Sequence, residues 1–174
     1  MTRRLFCLLA VGCGSLIGSS KAGGVEPVSY RKAAKFTPVR ILGKEGVIVP
    51  KVFLRESGLS AEGFWTSKTS QLRKVERSLP RFLRKEMQSR PLGELSEVIA
   101  LAPKYRRQYL GMILNGRKVI WINCIPQKSD NGVDPFANWK REIIDVSDGG
   151  SAFWGVVYDV EKHSFDKLIL NGSA

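Results

Sequence analysis

The sequence predicts an α+β domain in which one kinked amphipathic helix packs on an antiparallel sheet of four or five strands. Two observations predict this fold class. Apolar residues recur at helical spacing between residues 72 and 87, and the chain after residue 105 is rich in β-branched and aromatic residues separated by turn signals. Because the helix precedes the run of strands and does not alternate with them, an α+β arrangement is favoured over a parallel α/β fold.

The helix is predicted from one apolar face and its start signals. Thr66 or Ser67 can accept hydrogen bonds from the amides of the first turn. Pro80 lies inside the pattern, where it removes one backbone hydrogen bond, so we expect a kink or a new start near Ser78. The apolar face consists of Leu72, Val75, Leu79, Phe82, Leu83 and Met87.

The strands are predicted from three hairpins. Residues 39–42 and 47–49 are short β-rich runs on either side of a turn at residues 43–46. Asn115-Gly116 is the residue pair most favoured in a type I′ turn, and it joins residues 109–114 to residues 117–122. That turn sets a register in which Leu110 faces Trp121 and Tyr109 faces Ile122. Both faces of this hairpin are apolar, so we expect it to be central in the sheet.

The end of the chain gives weaker β signals. Residues 139–146 have a moderate β or mixed pattern, and residues 153–158 with 165–170 predict a further hairpin across residues 159–164. Together these elements form an antiparallel meander that follows the helix.

The first 22 residues are typical of an export signal. Arg3 and Arg4 precede a short apolar segment, and Ser20-Lys21-Ala22 fits a cleavage site. The apolar segment is too short to span a membrane. The arginine pair also resembles a twin-arginine signal, and residues 10–13 resemble a lipobox in which Cys13 would carry a lipid. We therefore predict an exported protein that is periplasmic, secreted or anchored to the envelope through Cys13.

The remaining chain predicts an exposed leader at residues 23–38 and one domain at residues 39–174. The whole sequence has 28 basic and 16 acidic residues, a formal net charge of +12. Removing Arg3, Arg4 and Lys21 with the signal leaves 25 basic residues against 16 acidic ones, a net charge of +9. A basic balance of this size favours contact with an anionic envelope polymer or a membrane surface.

The face of the helix opposite the apolar residues is cationic and is the candidate binding site. It lacks interleaved aromatic residues of the kind that stack on bases, so nucleic acid is a disfavoured partner. A purely solvated charged surface is the alternative interpretation. The candidate residues for contact with an anionic surface are Arg73, Arg77, Arg81, Arg84 and Lys85.

Catalytic and metal sites find little support in the sequence. Cys124 is the single cysteine left after removal of the signal, and we interpret it as a buried apolar residue or, alternatively, as a reactive thiol. His163 is the single histidine and lies in a predicted turn. Neighbouring side chains of an extended chain point to alternate faces, so His163 and Ser164 do not face each other. No zinc site of the usual kind can be built from one histidine and one cysteine, and no cofactor motif is present.

The leading interpretation is therefore an exported, non-enzymatic envelope or secreted binding module that uses the basic helix face. One alternative is a thiol-dependent hydrolase that uses Cys124, with His163 as its base. Another is an inhibitor or protein-binding module that uses the loop at residues 125–138 or the turn at residues 148–151.

Residues 64–174 resemble a group of uncharacterised bacterial exported proteins. The resemblance is carried by Phe64-Trp65-Thr66, by Leu79-Pro80, by residues 105–111, by Asn115-Gly116 with the strand that follows, by Asp148-Gly149-Gly150 with residues 153–156, and by Asn171-Gly172. The resemblance implies a small α+β secreted domain. It implies no activity and no catalytic residue. From the predicted elements we expect the helix and sheet to be cystatin-like in broad arrangement.

Overall fold

A computed structural model describes residues 35–89, 98, 100, 102–127, 133–146 and 152–170 of the chain. The predicted signal at residues 1–22, Cys13 and most of the predicted leader lie outside the described residues. The elements in chain order are β1 (Thr37–Ile41), β2 (Lys44–Ile48), α1 (Lys51–Glu56), β3 (Gly63–Trp65), α2 (Thr69–Ser89), a 3-10 turn (Ala102–Lys104), β4 (Arg106–Leu114), β5 (Arg117–Ile125), β6 (Trp154–Asp159) and β7 (Ser164–Leu170).

The predicted antiparallel sheet of four or five strands, and with it the cystatin-like arrangement, is wrong. The described residues form a mixed sheet of seven strands, with two α-helices of which only α2 is long. Its order is β1-β2-β4-β5-β6-β7, and β3 pairs with β4 beyond the end of β2. β2 runs parallel to β4, with Gly46 opposite Arg107. A parallel pair needs a long crossover, and α1, β3 and α2 together supply it.

The central hairpin of β4 and β5 has the predicted register. Leu110 lies opposite Trp121, and Tyr109 lies opposite Ile122. Asn115 and Gly116 have φ values of 51° and 70°, as a type I′ turn requires. The prediction that this hairpin is central and apolar on both faces is confirmed.

The outer hairpins follow the prediction less closely. β1 and β2 do pair, but their turn is Leu42-Gly43 and not residues 43–46, and β1 already begins at Thr37 inside the predicted leader. β6 and β7 pair as predicted. Residues 139–146 form turns and irregular chain and no strand. Their main-chain groups bond to side chains of the sheet, which replaces a strand partner.

Helix α2 starts and continues differently from the prediction. Thr66 Oγ1 accepts a hydrogen bond from the amide of Lys51, 3.3 Å away, and does not cap the helix. Gln71 instead reaches back, and its Oε1 accepts a hydrogen bond from the amide of Lys68 at 2.8 Å. This is half of a capping box, with the side chain of the third helical residue on the residue that precedes the helix. No new helix begins near Ser78, because α2 continues through Pro80 to Ser89.

Two apolar cores lie on the two faces of the sheet. The first core is covered by α2, and Leu72, Val75, Leu79 and Leu83 pack there against strand residues such as Ile122. The second core lies on the opposite face, and its buried residues include Phe36, Val47, Leu54, Leu110 and Trp139. Residues on one strand alternate between the two cores, so each face of β4 has a separate environment.

Candidate functional site

The cationic face of α2 is the candidate site, and we call it the outer face. Arg73, Arg77, Arg81, Arg84 and Lys85 are all exposed, as is Lys74 between them. At 100° per residue these six side chains fall within about 120° of arc, centred opposite the buried face. No carboxylate pairs with any of the five predicted residues within the described part of the chain. The outer face is therefore a cationic stripe without internal neutralisation.

The inner face of α2 carries one buried carboxylate, Glu76, which is only 1% exposed. Its Oε1 accepts a hydrogen bond from the hydroxyl of Tyr109 at 2.9 Å and one from Nε of Arg107 at 3.3 Å. Tyr109 and Arg107 are fully buried and project from β4 towards the helix. We call these three residues the inner cluster. It holds the middle of α2 on the centre of the sheet through charge-assisted hydrogen bonds.

Arg107 uses the rest of its guanidinium for nearby main chain. NH1 donates to the carbonyl of Tyr105 at 3.1 Å, and NH2 donates to the carbonyl of Ala102 at 2.7 Å. The guanidinium also lies 5.3 Å from the ring centroid of Trp154, within cation–π range. A buried arginine is tolerated only when it is paired and hydrogen-bonded, and this one is.

The second oxygen of Glu76 faces the first hairpin. Oε2 accepts no hydrogen bond in the described residues, but Nζ of Lys44 lies 3.8 Å from it. Lys44 is the first residue of β2, so this ion pair connects the β1–β2 hairpin to the helix. Gly46 makes room for the inner cluster, because a Cβ at that position would lie 2.7 Å from the ring of Tyr109.

Burial sets the titration behaviour of the inner cluster and its neighbours. Burial and the charge of Glu76 raise the pKa of Tyr109 well above its ordinary value, so its hydroxyl stays a donor. Burial raises the pKa of the Cys124 thiol to about 12. For Arg107, burial alone would favour the neutral form, but the acidic groups of Cys124, Glu76 and Tyr109 outweigh it and raise the pKa. The arginine is therefore permanently charged.

The other face of β4 has a polar network of its own, made mainly of neutral amides. Gln108 donates through Nε2 to the carbonyls of Trp139 and Glu142, each at 2.6 Å. Asn123, opposite Gln108 on β5, donates to Gln108 Oε1 at 3.0 Å and to the carbonyl of Ile144 at 2.7 Å. These bonds fix residues 139–144 over the second core and satisfy main-chain groups that have no strand partner.

Arg106 completes this second network at its edge. NH1 and NH2 form a bidentate pair with the two carboxylate oxygens of Asp134, at 2.7 Å and 3.0 Å. Nε and NH2 also donate to the carbonyl of Pro126. Arg106 and Arg107 are adjacent in sequence but lie on opposite faces of the sheet. Arg106 bonds to residues 126 and 134, whereas Arg107 bonds to residues 76, 102 and 105. Both are structural cations and not part of the outer face.

The structure gives no support to a Cys124–His163 nucleophile pair. Cys124 is fully buried in the first core and lies opposite Trp154 at the start of β6, as its interpretation as a buried apolar residue predicts. His163 is exposed in the turn that follows the other end of β6. The length of β6 separates the two residues by roughly 17 Å at about 3.3 Å per residue. No proton transfer between them is possible at that distance.

The other predicted sites are only partly described. Within the described residues no cluster of three or more histidine, cysteine, aspartate or glutamate side chains is arranged to hold a metal ion. Residues 128–132 of the predicted binding loop and the turn at residues 148–151 lie outside the described part. Across the residues that the structure covers, none of the helices is long and apolar enough to cross a membrane.

Sequence reasoning missed the inner cluster, although a signal for it existed. Glu76 falls on the helical wheel among the apolar residues and not among the cations, which is unusual for a solvated acid. Arg107 lies on the same face of β4 as Tyr109, which was predicted to face Ile122 in an apolar layer. A lone acid on a buried helix face and an arginine in a buried strand predict an ion pair between them.

Comparisons with known proteins add no relatives. No family model matches the chain, and no curated protein and no solved structure is significantly similar to it. The likeness to exported bacterial proteins stays a prediction.

Proposed function

We propose that this chain is an exported, non-enzymatic binding module of the cell envelope or the secreted fraction, and that it contacts anionic surfaces through the outer face of α2. One observation carries this proposal. Six exposed cations share one side of a single helix, and none of the five predicted contact residues has a carboxylate partner in the described residues. A stripe of this kind attracts phosphate- or carboxylate-bearing polymers and lipid headgroups.

The rigidity of the helix supports the proposal. Glu76 lies in the buried arc of α2, about 60° around the helix axis from Arg73, and is bonded to two side chains of the central strand. On the same side of the helix, Leu72, Val75 and Leu79 are buried in the first core. The cations therefore project from a fixed element, so contact with an anionic surface orders only the side chains and loses little backbone entropy.

The charge balance supports it further. Self-repulsion among six close cations is unfavourable in the free protein and is relieved when an anion binds. Ion pairs elsewhere on the molecule show that the chain can neutralise surface cations where it has acids. Lys140 pairs with Glu45 at 2.6 Å, and Arg117 pairs with Asp159 at 2.9 Å. Within the part of the chain that the structure covers, no carboxylate pairs with Arg73, Arg77, Arg81, Arg84 or Lys85.

Retention on a heparin-type resin tests the proposal. The variant Arg73→Gln/Arg77→Gln/Arg81→Gln removes three outer-face cations and keeps an unbranched polar side chain at each position. A matched control removes three exposed cations that lie with α1 or with the loop over the second core, namely Lys51, Arg55 and Arg141, also by glutamine. Both variants lose the same net charge, so non-specific retention falls equally.

The proposal predicts that the outer-face variant elutes at clearly lower salt than the control variant. The difference arises because the outer-face cations belong to one stripe of six that acts on a single polymer segment, whereas the control cations lie outside that stripe. Equal elution of the two variants would contradict a specific basic face and would leave only a general charge effect.

A further inference from the structure

The turn between β1 and β2 presents an apolar side chain in a backbone conformation that leucine rarely adopts. Leu42 has a φ of 49° and the following Gly43 a φ of 81°. Leu42 is nevertheless 49% exposed. Backbone preference does not explain a leucine at this position, because asparagine, aspartate and glycine favour it and leucine does not. Leu42 also belongs to neither of the two apolar cores that the described residues form.

A second turn in the same sheet provides an internal reference. Asn115 and Gly116 connect β4 and β5 with φ values of 51° and 70°, which match those of Leu42 and Gly43. There the first position carries asparagine, the residue that the conformation favours. The same backbone is therefore built once with the expected residue and once with an exposed leucine. Strain that the fold does not require is an indication of function.

The Leu42 turn lies beside the outer face. Lys44, two residues after Leu42, reaches Glu76 in the middle of α2. Arg73 is three residues before Glu76, so the two are neighbours on the helix surface. Val39 and Ile41 of β1 also pack in the first core under α2. Arg73 is therefore the outer-face cation that lies nearest to this hairpin around the helix axis. Arg40 is also exposed and closes the turn by donating from NH1 to the carbonyl of Gly43 at 3.2 Å.

From this arrangement we infer that the surface is an anionic lipid bilayer, and that Leu42 enters its interface as an apolar anchor while the outer face contacts the headgroups. This inference rests on the proposed function and selects one of its possible partners. A soluble polymer offers charge but no apolar phase, so it gives an exposed leucine nothing to enter. A bilayer offers both, and peripheral binding through cations combined with an inserted apolar side chain is a general mode of membrane attachment.

The experiment compares binding of full-length variants to vesicles of phosphatidylcholine alone and of phosphatidylcholine mixed with phosphatidylglycerol. All variants carry the same N-terminal segment, so its contribution to vesicle binding cancels in their ratio. Leu42→Asn replaces the anchor by the residue that the turn favours, and Leu42→Gly removes the side chain without adding a polar group. Val52→Asn is the matched control, because it removes an equally exposed side chain from α1.

We expect both Leu42 variants to bind anionic vesicles about fivefold more weakly, which is the effect of losing half the burial of one leucine. Their elution from a heparin-type resin stays unchanged, and Val52→Asn behaves as the unmodified chain in both assays. Vesicle binding that does not change in the Leu42 variants, but falls in the outer-face variant with three arginines replaced, would overturn the role of Leu42 as an anchor. It would leave the proposed function intact. Unchanged binding of the three-arginine variant to vesicles and resin alike would overturn the proposed function itself.

Discussion

The two faces of α2 use charge in opposite ways. On the inner face Glu76 is buried and bonded to Arg107 and Tyr109. The other two nitrogens of the Arg107 guanidinium donate to main-chain carbonyls. On the outer face the cations are exposed, and no carboxylate pairs with the five predicted contact residues in the described residues. One helix therefore separates charges that hold the fold together from charges that remain available to a partner.

This difference allows stability and binding to be separated by mutation. Inner-face changes should lower stability and leave the affinity of the folded protein for anions unchanged. Outer-face changes should lower the affinity for anions and leave the stability unchanged. A surface that merely keeps the protein soluble would fail the second half of this test, because its removal would change neither quantity.

The largest expected effect is on stability, from Arg107→Met. The substitution leaves the Glu76 carboxylate buried with only Lys44 and the Tyr109 hydroxyl, so we expect a loss of about 3–5 kcal/mol in the free energy of unfolding. Urea unfolding measures it. The double variant Arg107→Met/Glu76→Gln removes the uncompensated charge and should lose less than the single variant does. A loss below about 1 kcal/mol for the single variant would contradict the importance of the ion pair.

The next effect is on binding, from the three-arginine variant of the outer face. Each cation near an anionic membrane surface contributes about 1 kcal/mol, so three contribute about 3 kcal/mol, or roughly a hundredfold in affinity. The free energy of unfolding should stay within about 0.5 kcal/mol of the unmodified chain, because these three residues are exposed on the helix surface. Vesicle binding and urea unfolding measured on the same samples check both halves.

A smaller effect on the inner side is the pH dependence of stability that Cys124 produces. The pKa of its thiol is about 12 in the folded state, against about 8.5 in an unfolded chain. The unfolded state therefore loses its proton first, so stability is complete below about pH 8.5 and falls as the pH rises towards 12. Between pH 9 and pH 10.5 we expect a loss of roughly 2 kcal/mol from this group.

The variant Cys124→Ala isolates this contribution, since Tyr109 adds a loss of the same sign above about pH 10 through its own raised pKa. The stability of the alanine variant should decline less steeply with pH than that of the unmodified chain. Parallel curves for the two proteins would mean that the thiol is not buried as described.

The smallest effect concerns the turn at the border of the outer face. Leu42→Asn should raise the free energy of unfolding by about 1 kcal/mol, because it relieves the left-handed backbone at that position. Asn115→Leu places leucine in the matching turn and should lower it by a similar amount. Thermal unfolding of both variants checks the pair. A Leu42→Asn protein that is less stable than the unmodified chain would show that the leucine serves the fold.

Local patterns predicted the parts of the fold in which neighbouring residues decide the structure. The Asn115-Gly116 turn fixed the register of β4 and β5, and the apolar spacing of Leu72, Val75 and Leu79 identified the buried face of α2. The same spacing placed the cations on the exposed side. The resulting binding site stays a prediction, because exposure by itself does not test binding.

The parts that were mispredicted depend on contacts between distant segments. β3 has only three residues, and its own sequence is too short to predict a strand. It is a strand because it pairs with β4, which lies nearly fifty residues further along the chain. The parallel pairing of β2 with β4 likewise follows from the crossover. Residues 139–146 have a β-like composition, but the side chains of Gln108 and Asn123 take up their main-chain groups. In each case tertiary contacts, and not the intrinsic strand propensity of the segment, determine its structure.

The salt dependence of binding to a soluble polyanion shows whether the outer face of α2 contacts the anion. Three full-length proteins are compared, namely the unmodified chain, the outer-face variant and the control with glutamine at residues 51, 55 and 141. We expect the slope of log affinity against log salt concentration to become less negative by about two to three in the outer-face variant, because this variant loses three anion contacts. The control should keep the slope of the unmodified chain. An outer-face variant with an unchanged slope would show that α2 does not contact the anion, which would contradict a binding site on this helix.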